Sequence, residues 1–554
     1  MRVNRALSNL PIEDEPIKIL LKIKISRVLG MRDYAVELDQ SEAPAAIRIA
    51  PVFNVAVPFI DRHKEEGRGA KAAIRTIDGE VTYAELAERV NRCGNALKEL
   101  GVGRGERVLM MVKDCPEFLY LFFGAIKSGL IPVPVNTMLR VQDYTYLIGD
   151  SECVALIYSP EFGDVVSAAL ELSSHRPGHV MTTTGNASLA SRMAEASNDL
   201  APMPASPDDD CFWLYSSGST GTPKGTVHVH SSMIQTAELY ARPLLGINEN
   251  DTVFSAAKIF FAYGLGNALS FPLSVGATTL LMAERPTPAA VFERLRSQKI
   301  TIFCGVPTLY AALLAHSELP AADELNLRHC ISAGEPLPAD IARRWRHHFG
   351  VDILDGIGST EMLHIFLSNR AGALRYGTTG KPVPGYELRI VNDEGAPVAR
   401  GEIGELQVSG PTSALMYWNN RDKTRDTFMG EWTRTGDKYQ IDEDGFYVYC
   451  GRSDDMLKVG GIYVSPTEVE GALITHAAVM EAAVVGRADD AALIKPAAYV
   501  VLQPGVTGSD ELAATLKAHV KSQLAPYKYP RWIEFVSDLP KTATGKIQRF
   551  KLRD

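Results

Sequence analysis

From about residue 46 onward, short runs that read as buried strands alternate with runs that read as amphipathic helices for some four hundred residues. "RVLMMV", "IPVPVN", "TTLLM", "ITIFCGV" and "HCISAG" are the strand-like runs. A parallel neighbour needs a long crossover and a helix supplies it, so this alternation predicts layered α/β sheets, mostly parallel. The run "VTYAELAERVNRCGNALKELG" shows the helical half of the pattern. Thr82 and Glu85 form a capping box, Leu86, Val90, Leu97 and Leu100 recur on one face, and Gly101 can end the helix. At 554 residues the chain exceeds what one core holds, so two or more domains are expected.

Two stretches depart from the alternation. Residues 375–450 carry short strands such as "YELRIV" and "GELQVSG" joined by Gly and Pro turns, a β-rich subdomain of the large 46–450 domain. Residues 451–554 form a smaller α+β unit. There Ser465 caps a helix with Pro466 and Glu468 in its first turn, followed by strands at 479–486 and 497–502, a helix at 509–524 and a strand at 532–536. Residues 1–45 are an extension with no assigned role; "IKILLKIKISRVL" can form a short basic amphipathic helix, and Met31 is an alternative start.

A net charge of −9 argues against a protein built to coat nucleic acid or an anionic membrane. The seven cysteines (93, 115, 153, 211, 304, 330 and 450) are scattered without a CxxC pair, which suits a reducing compartment. The longest apolar run, "FLYLFFGAIKSGLIPVPV", is broken by Lys127 and two prolines, and the N-terminus lacks a secretory apolar core. A cytoplasmic protein with neither nucleic acid nor membrane as partner is expected; monomer and homodimer stay open.

"YSSGSTGTPKG" (215–225) places three glycines, five serine and threonine hydroxyls and Lys224 between two strand-like runs, "CFWLY" and "TVHVH". The common nucleotide loop, G-x-x-x-x-G-K-[ST] opening a helix, fails here in spacing and in context. What remains is a loop rich in backbone N–H groups and hydroxyls, with one cation, able to wrap phosphate oxygens. A polar hairpin turn is the plain alternative.

That loop resembles the phosphate loop of the adenylate-forming enzymes, the superfamily of acyl-CoA synthetases, peptide-synthetase adenylation domains and firefly luciferase. Further motifs follow in the family's order from about residue 50 to the end. The resemblance implies nucleotide contacts from Ser216, Ser217, Gly218, Ser219, Thr220, Gly221 and Thr222. "SAGEPLP" implies an adenine-lining segment with Gly334, Glu335 and Pro336. "DGIGSTE" implies nucleotide contacts from Asp355, Gly356 and Thr360, with Glu361 as the Mg²⁺ ligand. "WTRTGD" implies that Asp437 accepts both ribose hydroxyls, and "GRSDDMLKVGG" implies that Arg452 contacts ribose or phosphate while Asp454 is the hinge. "LPKTATGKIQR" implies that Lys546 is the catalytic lysine.

The implied chemistry has two steps. A carboxylate attacks the α-phosphate of ATP and releases pyrophosphate, with Lys224, Thr360, Glu361, Mg²⁺ and Lys546 balancing charge. After the small domain turns about Asp454, a thiol enters past Lys458, Gly460 and Gly461 and displaces AMP. Because the sequence ends at Asp554 without a carrier domain, free coenzyme A is the expected thiol. For the acid, "KIFFAYGLGNAL" and the residues after Glu361 resemble the benzoate–CoA ligases. The implied pocket is Phe261, Ala262, Tyr263, Gly264, Ala333, Gly356, Ile357, Gly358, His364 and Ile365, with rings bracketing a ring. His228 and His230 read as strand residues. Benzoate is the expected acid. A substituted or alicyclic acid (2-aminobenzoate, 4-hydroxybenzoate, cyclohexane carboxylate) and a non-catalytic nucleotide-binding protein are the rivals.

Overall fold

The computed structural model describes residues 31–39, 41–42, 44–217, 223–453, 455–459, 462–489, 493–541 and 547–553. Most of the N-terminal extension therefore lies outside the described residues.

The strand–helix alternation resolves into two sheets. In the larger, Thr252–Ser255 pairs in parallel with Thr278–Leu280 on one side and Ile302–Gly305 on the other. His329–Ser332 and Ile353–Gly358 extend that parallel run. Ala72–Thr76 joins Thr278–Leu280 in parallel, and antiparallel strands close both edges. The smaller sheet is parallel throughout, in the order Ile131–Pro134, Arg107–Met111, Ala155–Tyr158, His179–Thr182. The helix Tyr83–Glu99 has the expected capping box, with Thr82 Oγ1 accepting from Glu85 N–H and the Glu85 carboxylate accepting from Thr82 N–H. Gly101, at φ +82°, takes the left-handed conformation that ends it.

The 375–450 stretch is β-rich as expected: Glu387–Val391, Gly404–Ser409, Trp432–Ile441 and Tyr447–Arg452 form an antiparallel sheet. In the last hundred residues Val479–Ala488 pairs antiparallel with Ile494–Leu502, which takes Trp532–Phe535 as a parallel neighbour across the helix Asp510–Gln523. The fold class is thus the expected one: a large layered α/β domain with a β-rich part, and a small α+β domain. Among the described residues, no helix is long and apolar enough to cross a membrane.

Candidate active site

The glycine-rich loop joins two strands. Asp210–Ser217 and Pro223–Val229 pair antiparallel with Lys224 opposite Ser216, and Met416–Tyr417 adds a third strand beside Thr226 and Val227. Gly218, Ser219, Thr220, Gly221 and Thr222 lie outside the described residues. Alternation along Pro223–Val229 puts Lys224, Thr226 and His228 on one face. The hairpin ends in a helix: His230, expected in the strand, is the first residue of helix His230–Thr236, and its Nδ1 accepts from Val55 N–H at 3.2 Å.

On that face Lys224 Nζ sits 4.8 Å from the centroid of the Tyr417 ring. The Tyr417 hydroxyl donates to Glu361 Oε1 at 2.7 Å, and Ser216 Oγ reaches the same oxygen at 3.4 Å. Burial lowers the Lys224 ammonium from its ordinary value, with the Glu361 charge opposing. The positive charge of Arg452 is felt at both Lys224 and Tyr417. Arg452 in turn pairs with Asp437 Oδ1 at 3.1 Å, because the strand register sets residues 437 and 452 opposite each other. Gly436 is required here: at φ +72° a Cβ would lie 2.8 Å from the Arg452 guanidinium. Lysine, acid and arginine–aspartate pair thus form one charge-coupled group.

Glu361 belongs to a turn that leaves the strand Ile353–Gly358 at Ser359. The Thr360 carbonyl accepts from the His228 ring at 2.8 Å and from Leu363 N–H at 3.1 Å. The Glu361 carbonyl accepts from Ala414 N–H at 2.8 Å, and the Met362 carbonyl from Thr412 Oγ1 at 2.8 Å. Leu363 sits at φ +64°, a conformation a leucine rarely takes and one that costs energy. Asp355, one strand position before Gly356, is buried opposite Ser332. Burial pushes its carboxyl well above the usual range, despite the Leu337 N–H and Ser332 hydroxyl beside it. It therefore lies beneath the 332–338 segment. Ala333 and Leu337 anchor that segment in the core while Gly334 and Pro336 are exposed and Glu335 is half-buried.

Three aromatic rings, one of them that of the expected pocket residue Tyr263, surround His364. Its ring lies 5.8 Å from the Tyr263 ring at 27°, 5.4 Å from Tyr240 and 4.5 Å from Phe271, edge-on. Burial lowers the imidazole to about 3, so it is neutral at physiological pH. The Tyr263 hydroxyl lies 3.1 Å from the carbonyls of both Gly305 and Ile331. Phe261, Ala262, Tyr263, Ile357 and Gly358 keep partial exposure, whereas Ala333, Gly356, His364 and Ile365 are closed from solvent and form the wall behind. The missing side chains of two glycines admit the neighbouring strand: a Cβ on Gly356 would lie 3.0 Å from Ile365, and one on Gly358 2.3 Å from the His364 carbonyl. Gly264 likewise makes room for the Lys258 carbonyl.

Lys546, Asp454, Gly460 and Gly461 lie outside the described residues. Lys458 is placed by its backbone, in the strand Leu457–Val459 opposite Tyr463.

A family model described as AMP-binding enzyme matches residues 61–418, and one described as AMP-binding enzyme C-terminal domain matches residues 468–546. The chain belongs to the AMP-binding enzyme family. It is 60% identical to a benzoate–CoA ligase of Thauera aromatica, over 93% of this chain and 98% of that protein. It is 50% identical to a 4-hydroxybenzoate–CoA/benzoate–CoA ligase of Rhodopseudomonas palustris, over 91% and 94%. Among solved structures, a benzoate CoA ligase from Burkholderia xenovorans superposes with a TM-score of 0.86 at 52% identity, covering 91% of this chain and all of that one. The anthranilate CoA ligase AuaEII in complex with anthranoyl-AMP superposes with a TM-score of 0.87 at 44% identity, covering 91% and 97%.

Three residues of the site escaped the sequence reading. Tyr417 and Tyr240 stand in runs whose spacing marks nothing. His228 had a signal: it is four residues beyond Lys224 in a strand, an even spacing that sets both side chains on one face.

Proposed function

We propose that the chain is an ATP-dependent, AMP-forming aryl–CoA ligase whose preferred acid is benzoate. The observation that carries the adenylation step is the grouping of Lys224, Tyr417, Glu361 and the Arg452–Asp437 pair in one charge-coupled set. Lys224 neutralises phosphate charge at the base of the loop, and Asp437 accepts ribose hydroxyls with Arg452 holding its other side. The acid attacks the α-phosphate and pyrophosphate leaves. Lys546 supports that step as a mobile point charge, and after rotation about Asp454 the Lys458, Gly460 and Gly461 segment admits the thiol of coenzyme A.

The donor set suits Mg²⁺: a carboxylate beside hydroxyl oxygens, all hard ligands. Among the described residues no cluster of three His, Cys, Asp or Glu could hold a metal, so Glu361 would be the protein's ligand and substrate oxygens would fill the shell. Held by Glu361, the ion would supply positive charge to offset that of the phosphates.

Benzoate follows from the largely apolar and aromatic wall and from the similarity to benzoate-acting relatives. A ring bearing a hydroxyl or amino group is the second reading. It is favoured by His364 Nδ1, a buried polar atom with no hydrogen-bond partner among the described residues. Pyrophosphate release is measured with benzoate, 4-hydroxybenzoate, 2-aminobenzoate, cyclohexane carboxylate and acetate, with and without coenzyme A. Release with benzoate at the highest kcat/KM, and AMP formation completed by coenzyme A, is expected. A preference for a substituted ring favours the second reading; ATP bound and never cleaved with any acid refutes both.

A further inference from the structure

We propose that His228 is a positioning residue for adenylation: its ring N–H clamps the Thr360 carbonyl and so fixes the turn that presents Thr360 and Glu361. This rests on the ligase reading above for what the turn does, and on geometry alone for how the turn is held. His228 Nε2 lies 2.8 Å from the Thr360 carbonyl oxygen. A carbonyl oxygen only accepts, so Nε2 must carry the proton. The other nitrogen, Nδ1, is buried without a partner among the described residues, which is compatible with the bare acceptor of a neutral ring and not with an imidazolium. The ring is fully buried and stacked on Phe212, with centroids 5.3 Å apart.

The clamp matters because of what it joins. Of the three successive carbonyls of the turn, Glu361's is held by a backbone N–H and Met362's by a hydroxyl and a neighbouring N–H, both from outside the phosphate hairpin. Thr360's outside donor is a side chain of the hairpin strand that carries Lys224. The Tyr417 hydroxyl fixes the Glu361 carboxylate itself. His228 therefore registers the cation of the loop against the carboxylate of the turn, and does so against the strain of Leu363 at φ +64°. Without the ring N–H, the Thr360 carbonyl keeps only the local Leu363 N–H, and the turn is free to relax.

The test separates the donor from the packing. His228→Leu keeps apolar volume and removes the donor, whereas His228→Gln places an N–H near the position of Nε2. Mg²⁺-dependent ATP affinity is read by calorimetry, and pyrophosphate release and thioester formation from supplied benzoyl-adenylate are read separately. The leucine chain should weaken Mg²⁺-dependent ATP binding and slow pyrophosphate release by about 10- to 100-fold, the range for groups that orient a metal ligand. The glutamine chain should recover all but a few-fold of both, and thioester formation should be little changed in either. Equal losses in the two variants, or a leucine chain with unaltered Mg²⁺-dependent ATP affinity, overturns the proposal. If the leucine chain does not fold, the tautomer is read in the native chain by ¹⁵N-histidine spectroscopy, with the glutamine chain assigning the signal. A proton on Nε2 supports the clamp and one on Nδ1 refutes it. A native chain that binds MgATP but cleaves it with no acid refutes the ligase reading, and the binding comparison still decides His228.

Discussion

In the turn 359–363 the carbonyls of Thr360, Glu361 and Met362 each have a donor; one residue further on, the His364 side chain has one polar contact, Nε2 at 3.3 Å from the Tyr263 carbonyl, and is otherwise surrounded by rings. The first region is held mainly by bonds with direction, and the second mainly by packing that has little. Reacting oxygens tolerate little displacement, since a misplacement of about 1 Å can cost about 100-fold in rate. A ring-lined wall can instead be re-cut by one side chain, because each aromatic pair contributes only about 0.5–1.5 kcal/mol beyond its buried area. On the proposed reading, chemistry and choice of acid would be carried by adjacent residues of one chain segment, under different physics.

The largest test of that separation is Glu361→Gln. It keeps an acceptor for Tyr417 and removes the charge, so adenylation should fall by about 100- to 1,000-fold, comparable to losing a group that stabilises developing charge. The ranking of acids in single-turnover pyrophosphate release should not change; a new ranking would break the comparison. Gly266→Ala acts on the other region. Its Cβ would lie 2.3 Å from His364 Cδ2, and that ring is boxed by Tyr240, Tyr263 and Phe271. Overpacking of this kind costs about 1–3 kcal/mol in stability. The ratio of kcat/KM between benzoate and 2-aminobenzoate should shift by about 10-fold, with Mg²⁺ dependence unaltered.

The effect that reaches turnover least, because it is read in stability, is one the two regions share. Burial lowers His228 to about 4 and His364 to about 3. Below an unfolded value of about 6.5, the unfolded chain takes up protons that these rings refuse, so stability falls as the pH drops toward 4 and is constant above 7. Each ring contributes up to about 1.4 kcal/mol per pH unit. Denaturant melts from pH 4.5 to 8 should show this slope, made shallower by His228→Gln; an unchanged slope would mean that the ring is not held neutral.

Local patterns in the chain were enough for the α/β layering, for the caps at Thr82 and Ser465, and for the loop between two strands, because each is written in neighbouring residues. The aromatic box was only half legible. Tyr240 and Phe271 reach His364 from helices interrupted by wide turns at Ala237–Ala241 and Gly266–Ser270, which shift side chains off a regular helical face. Gly356 and Gly358 have a second, structural reason that the sequence does not announce, the close approach of the neighbouring strand. Tyr417 joins the site through pairing with a strand some two hundred residues earlier, and no local pattern encodes such a partner.

The large sheet interleaves early and late chain. The hairpin Ala72–Thr76 and Gly79–Thr82 takes its sheet neighbour from Thr278–Leu280. A ribosome adding about 5–20 residues per second delivers that partner roughly 10–40 s after the hairpin. For that interval the backbone edge of Ala72–Thr76 is uncovered, and the nascent protein depends on whatever shields it until residue 280 emerges.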